Sequence, residues 1–219
     1  GGQLGYELMR QGQALSLDIH GVDYPETDIT VVNDVKNVFA AYRPLLVVNA
    51  AAYTNVDGAE TDPEMAAAVN TDGPANIARL CAQYRIPMIH ISTDYVFDGT
   101  KDAPYCETDP VAPTGVYGRS KAAGETALRA ILNNCIILRT AWLYSPHGQN
   151  FVKTMLRLAC QKTEISVVSD QVGSPTSAAD LAEAILTITD RIGQGAAIEW
   201  GMYHYCGKGI ISWYEFARA

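Results

Sequence analysis

Basic residues are scarce in this chain. Its 219 residues hold 16 Lys and Arg against 24 Asp and Glu, a formal charge of −8. Gripping phosphates needs clustered Lys and Arg, so no nucleic-acid partner is expected. Long hydrophobic runs are missing too. None approaches the roughly 18 apolar residues that a membrane helix needs, so no membrane partner is expected. No basic stretch followed by an apolar one opens the chain, so no secretory signal is expected. Cysteine is sparse and unpatterned. The five, Cys81, Cys106, Cys135, Cys160 and Cys206, are odd in number, and no pair has C-x-x-C spacing. That speaks against a disulfide framework and against a zinc site. Reduced thiols of a cytoplasmic protein are the expectation, with no metal-ligating residues. Internal repeats and low-complexity stretches are also absent.

What is there suits a packed core: 48% of residues are hydrophobic and 18% charged. Helical spacing predicts helices over residues 4–11, 34–42, 66–84, 117–132, 151–160, 178–191 and 213–218. Short apolar runs predict strands over 14–17, 45–49, 87–92, 135–138, 165–168 and 202–206. The runs at 45–49 and 87–92 are apolar throughout before a polar end, as in strands buried on both faces. Strands alternating with helices predict an α/β fold, a mainly parallel sheet with helices on both faces. Residues 98–116 form a loop too long for a plain connection, which points to function. The opening Gly1-Gly2-Gln3-Leu4-Gly5 predicts a lost upstream segment holding the first strand and first glycine.

Gly2 and Gly5 read as the second and third glycines of a G-x-x-G-x-x-G turn. Such a turn brings backbone close to a pyrophosphate and presents a helix N-terminus to it. Asp18 lies about 20 residues beyond the lost first glycine, where an acid holds the adenosine ribose. Both features also fit ordinary turns. Asn49-Ala50-Ala51-Ala52-Tyr53 follows a buried strand, and its small residues leave room for a flat ligand at the sheet's carboxyl edge. Asp28-Ile29 precedes the second helix and suits an adenine contact or a plain turn.

Ser92-Thr93-Asp94-Tyr95-Val96-Phe97-Asp98-Gly99 also follows a strand. Tyr117-Gly118-Arg119-Ser120-Lys121 then puts a phenol and an ammonium on one helix face, four residues apart. Reducing a ketone needs a proton for the developing alkoxide. The spacing predicts that Lys121 lowers the Tyr117 pKa and favours the phenolate. Thr93 would orient the substrate oxygen.

Together with Val48 to Thr54 and Arg139-Thr140-Ala141-Trp142, these stretches resemble the extended short-chain dehydrogenases/reductases. The likeness is strongest to the branch that reduces the 4-keto group of a dTDP-deoxysugar, and it runs through nearly the whole chain. Residues 167–176 and 212–217 resemble that branch too. The resemblance implies a Rossmann-type doubly wound parallel sheet with a smaller, partly truncated C-terminal substrate domain. Residues 1–143 would be the NAD(P)-binding domain. Residues 144–219 would be mostly substrate-binding, with a strand near 202–206 returning to the sheet. Thr93, Tyr117 and Lys121 would be catalytic. Gly2, Gln3, Leu4, Asp18, Asp28, Ile29, Ala51, Ala52, Tyr53, Tyr117 and Lys121 would line the cofactor site, for NADPH or NADH. Thr93, Asp94 and Trp142 would meet a dTDP-sugar, although a core aromatic also fits Trp142. The resemblance allows a homodimer with Mg2+ at its contact. A sugar-nucleotide epimerase or dehydratase remains open at this point, as does a non-catalytic regulatory subunit resembling that of methionine adenosyltransferase.

Overall fold

The computed structural model describes residues 2–219. Its first half runs α1 (Gln3–Ala14), α2 (Val32–Tyr42), β1 (Val47–Asn49), α3 (Val56–Thr61), α4 (Pro63–Ala67), a π-helical turn (Ala68–Asp72), α5 (Gly73–Tyr84) and β2 (Met88–Thr93). A 3-10 turn (Asp94–Val96) follows, then α6 (Val116–Ile131), β3 (Cys135–Thr140), β4 (Leu143–Tyr144) and α7 (Phe151–Ala159). The chain continues through β5 (Val172–Gly173), β6 (Thr176–Ser177), α8 (Ala178–Gly193), β7 (Gly201–His204), β8 (Ile211–Ser212) and α9 (Trp213–Arg218).

Contacts divide the chain into two compact units. One joins residues 20–139 to 195–204 and holds a four-stranded sheet in the order β1-β2-β3-β7. The β1–β2 and β3–β7 pairs are parallel, with Val48 opposite Ile89 and Leu138 opposite Tyr203. Its core is built from helix stripes and strand faces: Val35 and Phe39 of α2, Ile77, Leu80 and Cys81 of α5, Leu128 of α6, Met88 and Ile137. The other unit joins residues 1–19, 140–194 and 205–219. There α1 packs along α8. Leu4 and Leu8 of α1 are buried, as are Leu181, Ala182 and Ile185 of α8, the i, i+4 pattern of an amphipathic pair.

Three expectations are corrected. Residues 14–17 are not a strand, because Ser16 takes a left-handed φ of 57° and turns the chain at the end of α1. Residues 165–168 make no ladder either. The single helix expected over 66–84 is interrupted by the π-helical turn, and Gly73-Pro74 opens α5. A proline ring is tolerated in that first turn, where no amide is needed.

Helix α6 lies unusually close to its neighbours. A Cβ at Gly118 would collide with the Tyr95 carbonyl, and one at Gly124 with the Asn70 carbonyl. Replacing glycine by alanine in a helix normally stabilises by up to about 1 kcal/mol. Here overpacking against backbone, typically about 1–3 kcal/mol, opposes that gain and outweighs it. Gly124→Ala should therefore lower the urea midpoint with an unchanged m-value. A raised midpoint would show that α6 is not pressed against the π-helical turn.

Candidate active site

The polar groups of the sheet unit gather where β2 ends and α6 begins. Thr93 caps the 3-10 turn, its Oγ1 accepting the Tyr95 N–H at 3.2 Å. The Thr93 hydroxyl also donates to Asp94 Oδ1 at 3.1 Å. Asp94 is pushed above the ordinary carboxylate range by burial, which its hydrogen bonds with Thr93 and nearby amides oppose.

Tyr117 and Lys121 do share the buried face of α6. Tyr117 is only 9% exposed and meets Tyr95 edge-on at 5.5 Å. Lys121 is 2% exposed and donates to the Ile91 carbonyl at 2.7 Å. The predicted electrostatics are corrected. Burial pushes the Tyr117 phenol up to about 12; the Thr93 hydrogen bond lowers it, while Asp94 and Tyr95 add to the rise. Burial pulls Lys121 down to about 8 against the opposing charge of Glu125. Both side chains lose water, and this outweighs the attraction that the spacing suggested. Beneath them His90 is wholly buried, with Asn49 Nδ2 donating to its Nδ1 at 3.1 Å. Burial and the nearby Lys121 hold His90 well below the usual histidine range.

Asn70 is a residue that sequence reasoning missed. It is fully buried in the π-helical turn. Its Oδ1 accepts the Tyr53 N–H at 2.9 Å, and its Nδ2 donates to the Tyr53 carbonyl and to Ser120 Oγ, both at 3.0 Å. One amide thus clamps the loop after β1 to the helix carrying Tyr117. The available signal was an asparagine inside an apolar helical stretch, followed closely by Gly-Pro. In that loop Ala51 is exposed, and its N–H donates to Asn49 Oδ1. Ala52 and Tyr53 are half-buried. Asp28 is engaged locally, accepting the Thr30 N–H and hydroxyl, each at 2.8 Å. Ile29 is half-buried against the core, and its carbonyl accepts from Asn76.

The remaining predicted residues belong to the other unit. Gly2 caps α1 without a side-chain hydrogen bond, and no atom lies within 4 Å of where its Cβ would stand. Gln3 binds the 143–150 segment, its Oε1 accepting from Asn150 at 2.9 Å. The Leu4 side chain is buried, so only its backbone can serve a ligand. Asp18 is exposed just beyond the turn at Ser16. Trp142 has a left-handed φ of 49° and stacks on Trp213 at 3.5 Å and 13°.

The family profile described as "RmlD substrate binding domain" matches residues 1–219. The chain is 44% identical to a dTDP-4-dehydrorhamnose reductase of Sinorhizobium fredii, over 99% of the chain and 73% of that relative. It is 41% identical to another from Aggregatibacter actinomycetemcomitans, over 100% and 75%. A solved dTDP-4-dehydrorhamnose reductase of Bacillus anthracis, in complex with NADP, superposes with a TM-score of 0.92 at 40% identity, covering 99% of this chain and 75% of that one.

The buried phenol yields a direct test. In a Tyr 13Cζ NMR titration of the free protein, the resonance assigned through Tyr117→Phe should stay in its phenol position to about pH 11. Ordinary tyrosines titrate near 10. A Tyr117 midpoint at or below 10 would overturn the account of its burial.

Proposed function

Since the chain belongs to the RmlD substrate binding domain family, we propose that it reduces the 4-keto group of dTDP-4-dehydro-L-rhamnose to give dTDP-L-rhamnose, using NADPH or NADH. The chain is an α/β protein of the Rossmann type and an oxidoreductase of dTDP-rhamnose biosynthesis, as are relatives at 41–44% identity. The observation that supports the residue assignment is that Tyr117 and Lys121 are both buried on one face of α6, which begins where β2 ends at Thr93.

Reduced nicotinamide supplies the hydride when bound. The chain's own residues supply the rest. The Tyr117 phenol gives its proton to the oxygen that becomes an alkoxide. Thr93 orients that oxygen by hydrogen bonding. The Lys121 ammonium stabilises the phenolate left behind. By the family resemblance, Asp94 and Trp142 would each contact the sugar nucleotide. For the dinucleotide, the uncapped first turn of α1 at Gly2, Gln3 and Leu4 suits a pyrophosphate. The exposed Ala51 leaves space above β1, with Ala52 and Tyr53 alongside. Asp18 suits a ribose, and Asp28 and Ile29 suit the adenine.

In this reading residues 1–143 serve the dinucleotide and residues 144–219 mostly the sugar nucleotide, with β7 ending in the sheet. Five free cysteines suit a reducing, cytoplasmic setting. No helix among the described residues is long and apolar enough to cross a membrane. A homodimer with Mg2+ at its contact rests on the family resemblance.

Consumption of reduced nicotinamide with dTDP-4-dehydro-L-rhamnose tests the reaction, and no turnover by the wild-type protein refutes it. Tyr117→Phe should lower kcat by about two to four orders of magnitude with little change in dinucleotide affinity. A near-wild-type rate would remove Tyr117 as the acid. A negative Asp18 repels a 2′-phosphate, so Asp18→Ala should raise the ratio of NADPH to NADH efficiency. An unchanged ratio would place Asp18 away from the ribose.

A further inference from the structure

A buried ion pair lies one helical turn beyond Lys121. Glu125 and Arg139 have side chains 5% and 4% exposed, and Arg139 Nη2 stands 2.6 Å from Glu125 Oε2. Arg139 Nε donates to Oε1 at 2.9 Å, so the contact is bidentate. Oε1 also accepts the Ser92 hydroxyl at 2.6 Å. Ser92 immediately precedes Thr93, and Glu125 continues the buried face that carries Tyr117 and Lys121. The Arg139 guanidinium lies 5.0 Å from the centre of the Phe97 ring, at the end of the turn that Thr93 starts. Phe97 is stacked on its other partner, Tyr105, at 4.2 Å and 10°. His204 completes the ring of contacts: its Nε2 lies 3.5 Å from Arg139 Nη1, its Nδ1 3.1 Å from the Tyr105 carbonyl, and its backbone N–H donates to Glu125's fellow acid Glu107.

We propose that Glu125 and Arg139 are positioning residues for the reduction. Their ion pair sets the register of α6, with its phenol and ammonium, against Thr93 and the turn ending at Phe97. The proposal rests on the functional reading above. The physical case begins with what the pair does not do. Two charges taken out of water gain little net stability over well-packed apolar residues of similar size. Their retention in the interior needs another reason. The geometry supplies one, because a bidentate contact has one orientation, whereas an apolar contact tolerates sliding. The pair fixes three segments at once: the residue before Thr93, the face of α6 and the ring of Phe97. Glu125 is also the charge that favours the ammonium form of Lys121.

The test uses the full chain, with Glu125→Leu/Arg139→Met replacing the pair without leaving an orphan charge, and with Glu125→Gln as a second variant that keeps the side-chain shape but removes the counter-charge of Arg139. Wild-type turnover comes first, since its absence refutes the functional reading and not the positioning. With turnover present, the double variant should keep its thermal midpoint, its dinucleotide affinity and its KM within about threefold. Its kcat should fall by about 30- to 100-fold, the scale of a misplacement near 1 Å. Glu125→Gln should fall in between. A folded double variant with kcat within threefold of wild type overturns the proposal. Should it fail to fold, Glu125→Gln decides on its folded fraction, its midpoint being lowered by the uncompensated Arg139: a lowered kcat at unchanged KM supports the proposal, and an unchanged kcat overturns it. Independently of activity, amide exchange over residues 117–121 should quicken by about tenfold or more in Glu125→Gln. Unchanged exchange overturns the positioning claim even if the functional reading has failed.

Discussion

The sheet unit depends on how closely α6 approaches the π-helical turn. Gly124 removes the side chain that would keep the two apart, and its place is taken by the Asn70 carbonyl. Asn70 is buried in the π turn, and its amide makes three hydrogen bonds, two to Tyr53 and one to Ser120. Thr71 adds a hydroxyl donated to the Ser120 carbonyl at 2.8 Å. Neither device works without the other. With a longer side chain at 124 the Asn70 amide could not reach Ser120, and with an apolar residue at 70 the buried backbone of Tyr53 would lose its partners, a loss of about 1–3 kcal/mol for each unsatisfied group. The loop after β1 and the helix bearing Tyr117 are therefore one rigid assembly.

The sequence carried the long elements plainly. β1, β2 and β3 are short apolar runs, and α6 has a 3.6-residue stripe from Tyr117 through Leu128. The S-T-D and Y-x-x-x-K segments fell at a strand end and a helix start, where their spacing placed them. What escaped were elements that no periodicity marks. β4, β5, β6 and β8 are two residues each and owe their existence to pairing partners far along the chain. The apolar run at 14–17 resembled a strand because nothing in it announces that Ser16 turns left-handed. The side-chain clamps were harder to read. Asn70 stood out only as an asparagine inside an apolar stretch, Glu125 lies on a helix among ordinary polar residues, and only the fold shows that both point inward.

The aromatic residues of the other unit follow a different logic. Trp142 holds a backbone conformation that costs a non-glycine residue about 1–3 kcal/mol. Trp213 covers one face of its indole, and the absence of a side chain at Gly173 leaves room at its edge. Phe151 and Phe216 extend the cluster around Trp213. The strain at Trp142 is thus balanced by stacking, and the residue stays half-buried when burying it fully would have gained more apolar area.

The role proposed for Tyr117 sets two conditions: a general acid must be protonated before the reaction and a tolerable anion after it. Burial satisfies the first condition so strongly that, in the free protein, the phenol is protonated throughout the physiological range. The same burial would make the phenolate costly, so the second condition calls for a cation close by. Lys121 is the cation on that helix face, and burial has drawn its own pKa down to about 8, against which Glu125 favours the charged form. The negative charge created at Tyr117 adds to that effect, because an anion nearby raises the pKa of an ammonium. With Lys121 at about 8 and Tyr117 at about 12, the free protein at neutral pH holds mostly an ammonium beside a phenol that keeps its proton. The site stores the proton firmly on the phenol until a stronger base, the developing alkoxide, is present to take it.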